Sequence, residues 1–375
     1  MATLSQSSME FALNLFRVAA DPGKNAFLSP VSISTALAMT FAGAAGRTAQ
    51  QMNDVLFAGV KPEAVHEGME KVVALLTQPT QGYQLHTANR VYGQKGTKLQ
   101  PEFVALLLKH YKSELQSVDF KTEAEPVRLS INKWVEEVTK SRIKDLLAPN
   151  VLNAATRMVL VNAIYFKGDW RKKFDADDTT EKTFYSAPKK ETKVQMMAQK
   201  DDFLYAEDDE VQVLGMEYKA PDLAMFVFLP KDKYGLEKFE KSLTAKRMTD
   251  LVQKTSNQEV IVQIPQFKLE QSFGLNEALS KLGLTDMFID GVADFSKMTG
   301  KPELFVSSVV HKAFIEVNER GSEAAAATAV VMNRCAMAMP HSPPPKKFIA
   351  EHSFLFTIAH SQTMSLLFAG RFTNL

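Results

Sequence analysis

Cysteine is nearly absent from this chain, because Cys335 is the only one among 375 residues. A single thiol forms no internal disulfide and supplies no paired thiolates for a structural zinc site. The sequence also lacks an Asn-x-Ser/Thr acceptor, and its first twenty residues lack the basic and long apolar stretches of a secretory signal peptide. These absences predict a cytoplasmic protein, and leave open its release without a signal peptide.

Charge of one sign is also lacking: 44 Lys and Arg stand against 43 Asp and Glu, for a formal net charge of +1. No block of five basic residues occurs, and no apolar run reaches the 18 residues of a candidate membrane span. Electrostatics therefore gives no reason to expect nucleic acid or a membrane as a partner.

The familiar catalytic and cofactor motifs are missing. The seven histidines form no His-Glu-x-x-His pattern, and there is no phosphate loop, Rossmann glycine pattern or Gly-x-Ser-x-Gly elbow. His66-Glu67 and Glu351-His352 are sequence neighbours, which usually point apart and indicate structural or solvated groups. A hydrolase built on Cys335 is a remaining alternative, although its Pro- and Ala-rich surroundings lack rigid support. We therefore expect no enzyme, no cofactor and no metal.

The first half of the chain has mostly helical periodicity. Residues 62–77 and 101–116 show helical spacing, and Thr48 is a candidate cap for the helix that follows it. The strongest amphipathic pattern covers residues 129–147, where Pro149 is expected to end the helix.

The second half is rich in strands. Runs of β-branched and aromatic residues include 157–166, 223–230 and 259–270, and residues 84–94 supply an earlier strand. Length alone favours two domains. Because no Gly-, Ser- or Pro-rich linker and no repeat separates the halves, the sequence predicts one large α+β domain instead.

One segment, residues 318–348, fits neither pattern. It contains four consecutive alanines, a lone cysteine beside an arginine and four prolines. A connection of this length without regular structure is more often functional than accidental. The competing interpretation is a surface helix of alanines that the prolines terminate.

Residues 319–328, Glu-Arg-Gly-Ser-Glu-Ala-Ala-Ala-Ala-Thr, resemble the serpin hinge in its inhibitory form. Residues 25–33, 160–170, 311–314, 354–356 and 367–372 resemble further serpin segments in the correct chain order. The chain is thus identified as similar to the serpin family, and its opening resembles the intracellular, ovalbumin-like branch. The hinge residues that match are Glu319, Gly321, Ser322, Glu323, Ala324, Ala325, Ala326, Ala327 and Thr328.

The resemblance implies a fold and a partner. The fold is one serpin domain over 1–375, with about nine helices around three β-sheets and an exposed, insertable reactive-centre loop within 319–345. The partner is a serine protease held as a covalent complex, with papain-like cysteine proteases as a further target class. A monomer with a liability to loop–sheet polymers is expected.

The resemblance also implies a mechanism. The protease attacks the loop and forms an acyl-enzyme, and the freed loop inserts into a sheet before deacylation. The alternative is a non-inhibitory serpin that serves as chaperone, store or carrier, whose hinge usually carries bulky or charged residues. Ser322 and the alanines through Ala327 favour the inhibitor.

An inserted strand must turn alternate side chains to the core. Taking Ser322 as the first inward position, the inward set continues with Ala324, Ala326, Thr328, Val330 and Met332. All are small or apolar, and Gly321 gives the hinge backbone its freedom.

Five further residues match serpin positions that accompany sheet opening. Ser29, Ser32, Asn162 and His311 match the shutter, a polar cluster beneath the opening sheet, and Trp170 matches the breach at its upper end. Taken alone, each of these residues indicates a buried side chain whose polar atoms are hydrogen-bonded, and none is expected to be catalytic.

Two bonds compete as the cleaved bond. Family spacing from Glu319 favours Cys335-Ala336, which suits chymotrypsin- or elastase-like proteases. Pairing of guanidinium with the carboxylate of a trypsin-like pocket favours Arg334-Cys335. A loop usable in both registers is the prediction, with Arg334-Cys335 preferred.

Overall fold

The computed structural model describes residues 4–77, 82–220, 223–322, 344–360 and 365–374. Its α-helices are α1 Leu4–Ala19, α2 Pro30–Ala42, α3 Gly46–Phe57, α4 Pro62–Thr77, α5 Pro101–Tyr111, α6 Phe120–Val138, α7 Leu236–Ser242, α8 Ala245–Gln253, α9 Asn276–Lys281 and α10 Ser296–Thr299. Its strands are β1 Ala26–Leu28, β2 Tyr83–Gln94, β3 Leu115–Val118, β4 Met158–Asp169, β5 Thr180–Ala187, β6 Lys190–Glu207, β7 Val211–Glu217, β8 Leu223–Pro230, β9 Ser256–Pro265, β10 Phe267–Gly274, β11 Val306–Asn318, β12 Gly321–Ser322, β13 Lys346–Ile349, β14 Phe354–His360 and β15 Leu366–Phe372.

The described strands form two hydrogen-bonded sheets. A nine-stranded sheet has the order β1-β15-β14-β8-β7-β6-β9-β13, with β5 paired to β6. A six-stranded sheet has the order β10-β11-β12-β4-β2-β3, in which β11 also pairs directly with β4. The predicted single α+β domain is confirmed.

The number of helices agrees with that prediction and the number of sheets differs. The described residues contain ten α-helices, including the single-turn α10, where about nine are expected. The strands fall into two sheets instead of three because β6, with 18 residues, pairs with β5, β7 and β9 in turn and joins their ladders.

The helix α2 lies at the centre of the molecule, since all 13 of its residues are buried. Ser29 is its N-cap: the side-chain oxygen accepts a hydrogen bond from the backbone N–H of Ser32, and Pro30 occupies the first helical turn. Small side chains let α2 pack closely on the six-stranded sheet, between it and the other helices. The cap thereby places two serines directly beneath that sheet.

The opposite face of the six-stranded sheet is covered by α6 and the segment that follows it. Val127, Ile131 and Val135 of α6 share one buried cluster with Val161 of β4 and Phe314 of β11. Because β4 is covered on both faces, all but two of its residues are buried and it reads as a nearly continuous apolar run.

The predicted helix over 129–147 is wrong at both ends. α6 begins at Phe120 and ends at Val138, after which Lys140 and Ser141 adopt left-handed backbone with φ of 53° and 60°. The apolar residues beyond this point are still buried, but from irregular backbone. Asn132 holds them: its side-chain oxygen accepts from the Leu147 N–H, and its amide donates to the Leu147 carbonyl.

Two further helix boundaries differ from prediction. Thr48 lies inside α3, whose N-cap is Ala45, and its hydroxyl oxygen accepts from the N–H of Asp294. α5 ends at Tyr111, because Lys112 takes a left-handed conformation with φ of 48°. None of the helices in the described ranges is long and apolar enough to cross a membrane.

Candidate functional site

The centre of the six-stranded sheet is divided at one end by the hinge. Along most of their length β4 and β11 pair directly and in parallel. At the far end β12 lies between them and runs antiparallel to both, so that Ser322 pairs with Gly168 of β4 and with Val317 of β11. We call the boundary between β4 and β11 the slot. Two residues of the hinge, Gly321 and Ser322, already occupy its upper end.

Glycine is required at position 321 by the closeness of β4. A Cβ added there would overlap the carbonyl oxygen of Gly168 and lie 2.7 Å from the Cα of Asp169. The backbone also has φ of +152°, which disfavours other residues. The Gly in the hinge motif is therefore fixed by steric exclusion as well as by flexibility.

Ser322 is fully buried and faces the space between the two sheets. Its hydroxyl lies 2.8 Å from the hydroxyl of Tyr218. The Tyr218 ring stacks on Trp170 with centroids 4.6 Å apart and planes at 20°. Burial raises the pKa of the Tyr218 hydroxyl, which therefore stays protonated and neutral. The hydroxyls of Tyr218 and Ser322 form an ordinary hydrogen bond in which either can be the donor.

The chain that leads into the hinge is fixed by Trp170 and its neighbours. The indole Nε1 of Trp170 donates to the carbonyl of Asn318 at 2.9 Å, and its backbone N–H donates to the carbonyl of Arg320 at 2.8 Å. The Glu319 carboxylate accepts from the hydroxyl of Thr179 at 2.6 Å. We call Trp170, Tyr218 and Ser322 the breach cluster.

The four polar residues predicted for the shutter lie together beneath the slot, joined by a fifth that sequence analysis missed. The Ser32 hydroxyl donates to Oδ1 of Asn89 at 2.9 Å and accepts from the Asn162 amide at 2.6 Å. Asn162 also donates to Oδ1 of Asn89. We call Ser29, Ser32, Asn89, Asn162 and His311 the shutter cluster.

His311 connects the shutter cluster across the slot. Its Nε2 accepts from the backbone N–H of Ser29 at 3.1 Å, so Nδ1 carries the proton and donates to Oδ1 of Asn162. Burial lowers the pKa of His311 from 6.5 to about 3. The imidazole is therefore neutral at physiological pH. Register places Asn89, Asn162 and His311 directly opposite one another on β2, β4 and β11.

Several predicted residues fall outside the described part of the chain. These are Glu323, Ala324, Ala325, Ala326, Ala327 and Thr328 of the hinge, and Arg334, Cys335 and Ala336 at the candidate cleaved bond. Their roles stay predictions.

The histidines beside carboxylates in sequence are structural where the chain is described. Nδ1 of His66 contacts the hydroxyl of Tyr111 at 2.7 Å, and Nε2 of His352 contacts the carbonyl of Pro230 at 2.8 Å. Among the described residues, no group of three or more His, Cys, Asp and Glu is placed to hold a metal ion.

Taken together, the fold and the two clusters define a protein whose six-stranded sheet holds two hinge residues between two strands that otherwise pair in parallel. The sequence profile of the family described as Serpin (serine protease inhibitor) matches residues 6–375. The chain belongs to the serpin family.

Relatives with known names and structures match over nearly the full length. Leukocyte elastase inhibitor of Homo sapiens is 41% identical, covering 100% of both chains, and Serpin B6 of Macaca fascicularis is 40% identical with the same coverage. Uncleaved ovalbumin aligns with a TM-score of 0.89 at 30% identity over 100% of both chains. Serpin48 of Tenebrio molitor aligns with a TM-score of 0.86 at 30% identity, covering 99% of this chain and 98% of its own.

Proposed function

We propose that this serpin inhibits serine proteases as a suicide substrate, by inserting its cleaved loop into the slot while the protease is still bound as an acyl-enzyme. The observation that carries the proposal is β12: the hinge already pairs with both strands that an inserted loop would meet. The names of the elastase-inhibiting relatives support the same target class.

The register of β12 predicts how a longer insertion would continue. If both ladders extend without a shift, Ala324 would lie between Phe166 and Ile315, Ala326 between Ile164 and Ala313, and Thr328 between Asn162 and His311. Three of these four neighbours, Phe166, Ile164 and Ile315, are large and buried, and Ala313 is also buried. Small inward side chains are what such a slot accepts without overpacking.

Thr328 is the polar member of the inward set beyond Ser322. In this register it meets the Asn162–His311 pair, whose hydrogen bond must break when the strands part. An unmatched polar group in this fully buried row would cost about 1–3 kcal/mol. The Thr328 hydroxyl both donates and accepts, so it can replace the lost partner of each neighbour. We infer that Thr328 supplies the hydrogen bonds that Asn162 and His311 lose when the strands separate.

The proposed target depends on the cleaved bond. Arg334-Cys335 serves trypsin-like proteases and Cys335-Ala336 serves chymotrypsin- or elastase-like proteases, and we propose that the loop is used in both registers with the arginine preferred. Papain-like cysteine proteases form the same kind of acyl-enzyme and are a further target class. We further propose that the protein works in the cytoplasm as a monomer. An open slot that accepts a neighbour's loop would account for polymers under stress.

The decisive experiment is incubation with trypsin, chymotrypsin, pancreatic elastase and a cathepsin, followed by a denaturing gel. A complex that survives denaturation, at near-equimolar stoichiometry, supports the covalent trap. Complete cleavage without a complex would instead indicate a non-inhibitory serpin. Mass spectrometry of the released fragment then assigns the bond: a fragment starting at Cys335 identifies the arginine register, and one starting at Ala336 identifies the cysteine register.

A further inference from the structure

A cavity of about 170 Å³ lies between helices α1, α2 and α4 and the first residue of β15. An apolar cavity of about 150 Å³ is large enough to hold benzene. The space therefore suits a single six-membered ring with small substituents. None of the residues that line it belongs to the shutter cluster or the breach cluster, and no step of the proposed inhibition uses it.

Most of the buried side chains that line the cavity are apolar. Met9 and Met69 are 4% and 2% exposed, and Val31 and Leu366 are buried as well. No ionisable side chain lines the cavity within the described part of the chain. Burying an unpaired charge here would be costly, so the occupant is neutral. Thioethers make favourable contacts with aromatic rings, and the two methionines therefore favour an aromatic occupant.

One polar side chain at the cavity is left unused by the fold. Ser34 of α2 is only 4% exposed and lines the cavity, yet its hydroxyl has no hydrogen bond to any residue in the described ranges. Thr35 and Thr40 of the same helix instead donate to the carbonyls four residues before them, at 2.8 and 3.0 Å. A buried hydroxyl without a partner costs free energy. A polar group inside the cavity would remove that cost.

We propose that this cavity binds a neutral molecule of the phenol class, with one aromatic ring and one hydroxyl. The ring packs between Met9 and Met69, and its hydroxyl forms a hydrogen bond with the hydroxyl of Ser34. Water is the competing occupant, since Ser5, Ser8 and Ser365 also line the cavity and a buried water needs about two to four polar partners. The apolar walls favour the ring.

An occupant of this cavity would join α1 to α2 and α4, because its walls come from all three helices. At about ten times its Kd, a ligand that binds only the folded form raises the ratio of folded to unfolded protein roughly elevenfold. This stabilisation does not depend on whether the chain inhibits a protease.

The probe is 4-methylphenol, and 1,4-dimethylbenzene, which has the same shape but no hydroxyl, is its control. Intact protein labelled with carbon-13 at the methionine methyls reports binding by NMR, because an aromatic ring shifts the signals of methyl groups beside it. Met9→Leu and Met69→Leu assign the two signals. We expect both signals to move on addition of 4-methylphenol. Titration should give a Kd for 4-methylphenol that is lower than that of the control by roughly fivefold or more.

Variants test the two parts of the site separately. Ser34→Ala keeps the space but removes the hydroxyl, and it should lose the preference for 4-methylphenol. Val72→Phe fills the cavity from α4 and should abolish binding, with Ser8→Phe as a second filling variant from α1 if the first does not fold. Val151→Phe, at a position 38% exposed and outside the cavity, is the matched control and should bind as the wild type does.

An absence of movement of the Met9 and Met69 signals, up to the solubility limit of 4-methylphenol, would mean that the cavity holds water only and would overturn the site. Equal binding by a folded filling variant would overturn it as well, because the probe would then lie elsewhere. Equal Kd values for the two probes in the wild type, or an unchanged preference in Ser34→Ala, would overturn the role of Ser34. All of these measurements use the protein without a protease, so a failure of the proposed inhibition leaves their result unaffected.

Discussion

The hydroxyl of Ser322 lies 2.8 Å from the hydroxyl of Tyr218, in a fully buried position between the two sheets. Tyr218 directly follows β7 of the nine-stranded sheet, and it forms an isolated β-bridge with Trp170, which directly follows β4. The Ser322–Tyr218 contact therefore joins the hinge to the nine-stranded sheet. The starting end of the reactive-centre loop is therefore held by a specific polar contact. The contribution of this hydrogen bond to the free energy of unfolding can be measured by removing one of the two hydroxyls.

Tyr218→Phe is expected to lower the free energy of unfolding by about 1–2 kcal/mol, since it leaves the Ser322 hydroxyl buried and unpaired but keeps the stacking on Trp170. Urea unfolding of the intact protein measures the change. Tyr234→Phe, at a position 46% exposed, is the control and is expected to have no effect. Equal stability of Tyr218→Phe and wild type would show that this hydrogen bond contributes nothing net.

Gly321→Ala is expected to displace the hinge from the slot, because the new Cβ would overlap the backbone of β4. Loss of the β12 pairing should make the 318–322 segment cleavable by a nonspecific protease under native conditions, whereas this segment of the wild type is expected to resist cleavage. Gly23→Ala is a suitable comparison, because that glycine also has positive φ but meets no atom within 4 Å. Equal resistance of the Gly321 variant and wild type would contradict the steric explanation.

Ala324→Arg is expected to convert the protein from inhibitor to substrate. In the β12 register its side chain would have to enter the core beside Phe166, and burying an unpaired guanidinium is costly. Cleavage by trypsin should proceed, whereas the yield of covalent complex should fall by at least tenfold. A tenfold change corresponds to about 1.4 kcal/mol in the difference between the activation free energies of loop insertion and deacylation. Glu323→Arg, on the alternate face beside the half-buried Lys167 and Glu316 in the same register, is the matched control and should keep most of the inhibition. Reversal of the two outcomes would shift the inward set by one residue.

Cleavage between residues 331 and 337 is expected to raise the thermal midpoint by tens of degrees. A complete additional strand adds ladder hydrogen bonds and buried area, whereas an ordinary point change shifts the midpoint by only about 2–4 °C per kcal/mol. Differential scanning calorimetry of intact and cleaved protein gives the comparison, with Ala324→Arg as a control that should gain less. Identical melting of the two forms would mean that no strand is inserted.

Acidification is expected to destabilise the intact protein between pH 6.5 and about 4. Burial lowers the pKa of His311 to about 3 and that of His66 to about 4, both from 6.5. Below pH 6.5 these two imidazoles are therefore protonated in the unfolded chain while they are still neutral in the native state. Stability from these groups is complete above pH 6.5 and is lost on acidification, by up to about 1.4 kcal/mol per pH unit for each histidine.

Urea midpoints at pH 7.5, 5.5 and 4.5 test this dependence. His66→Gln removes one of the two groups and should reduce the slope between pH 6.5 and 4 by about one proton. His86→Gln is a partial control, since the pKa of His86 is lowered less strongly by incomplete burial and Lys140. A slope unaffected by His66→Gln would show that His66 is protonated in the native state or remains neutral in the unfolded one.

The sequence predicted the polar cluster far better than it predicted the ends of the helices. Ser29, Ser32, Asn162 and His311 come from three separate segments, and only their likeness to family motifs indicated that they meet. Asn89 was missed because an asparagine in an alternating strand carries no local signal. Its partner Asn162 lies opposite only once the β2–β4 register is known.

The error at 129–147 has a different cause. Apolar spacing reports which residues are buried, not the backbone that buries them. Leu147 is fully buried beyond the end of α6 because Asn132 pairs with both polar groups of its backbone. Such side-chain-to-backbone pairing over 15 residues leaves no periodic trace in the sequence.

The short strand β12 also has a kinetic consequence. Starting a new strand costs the most conformational entropy, because the first residues must be fixed before later pairs add their hydrogen bonds. Here that nucleus exists before any protease arrives, with Gly321 and Ser322 already in register on both sides. In the proposed mechanism, insertion after cleavage would therefore only have to extend an existing strand, and its rate would depend on how readily β4 and β11 separate ahead of it.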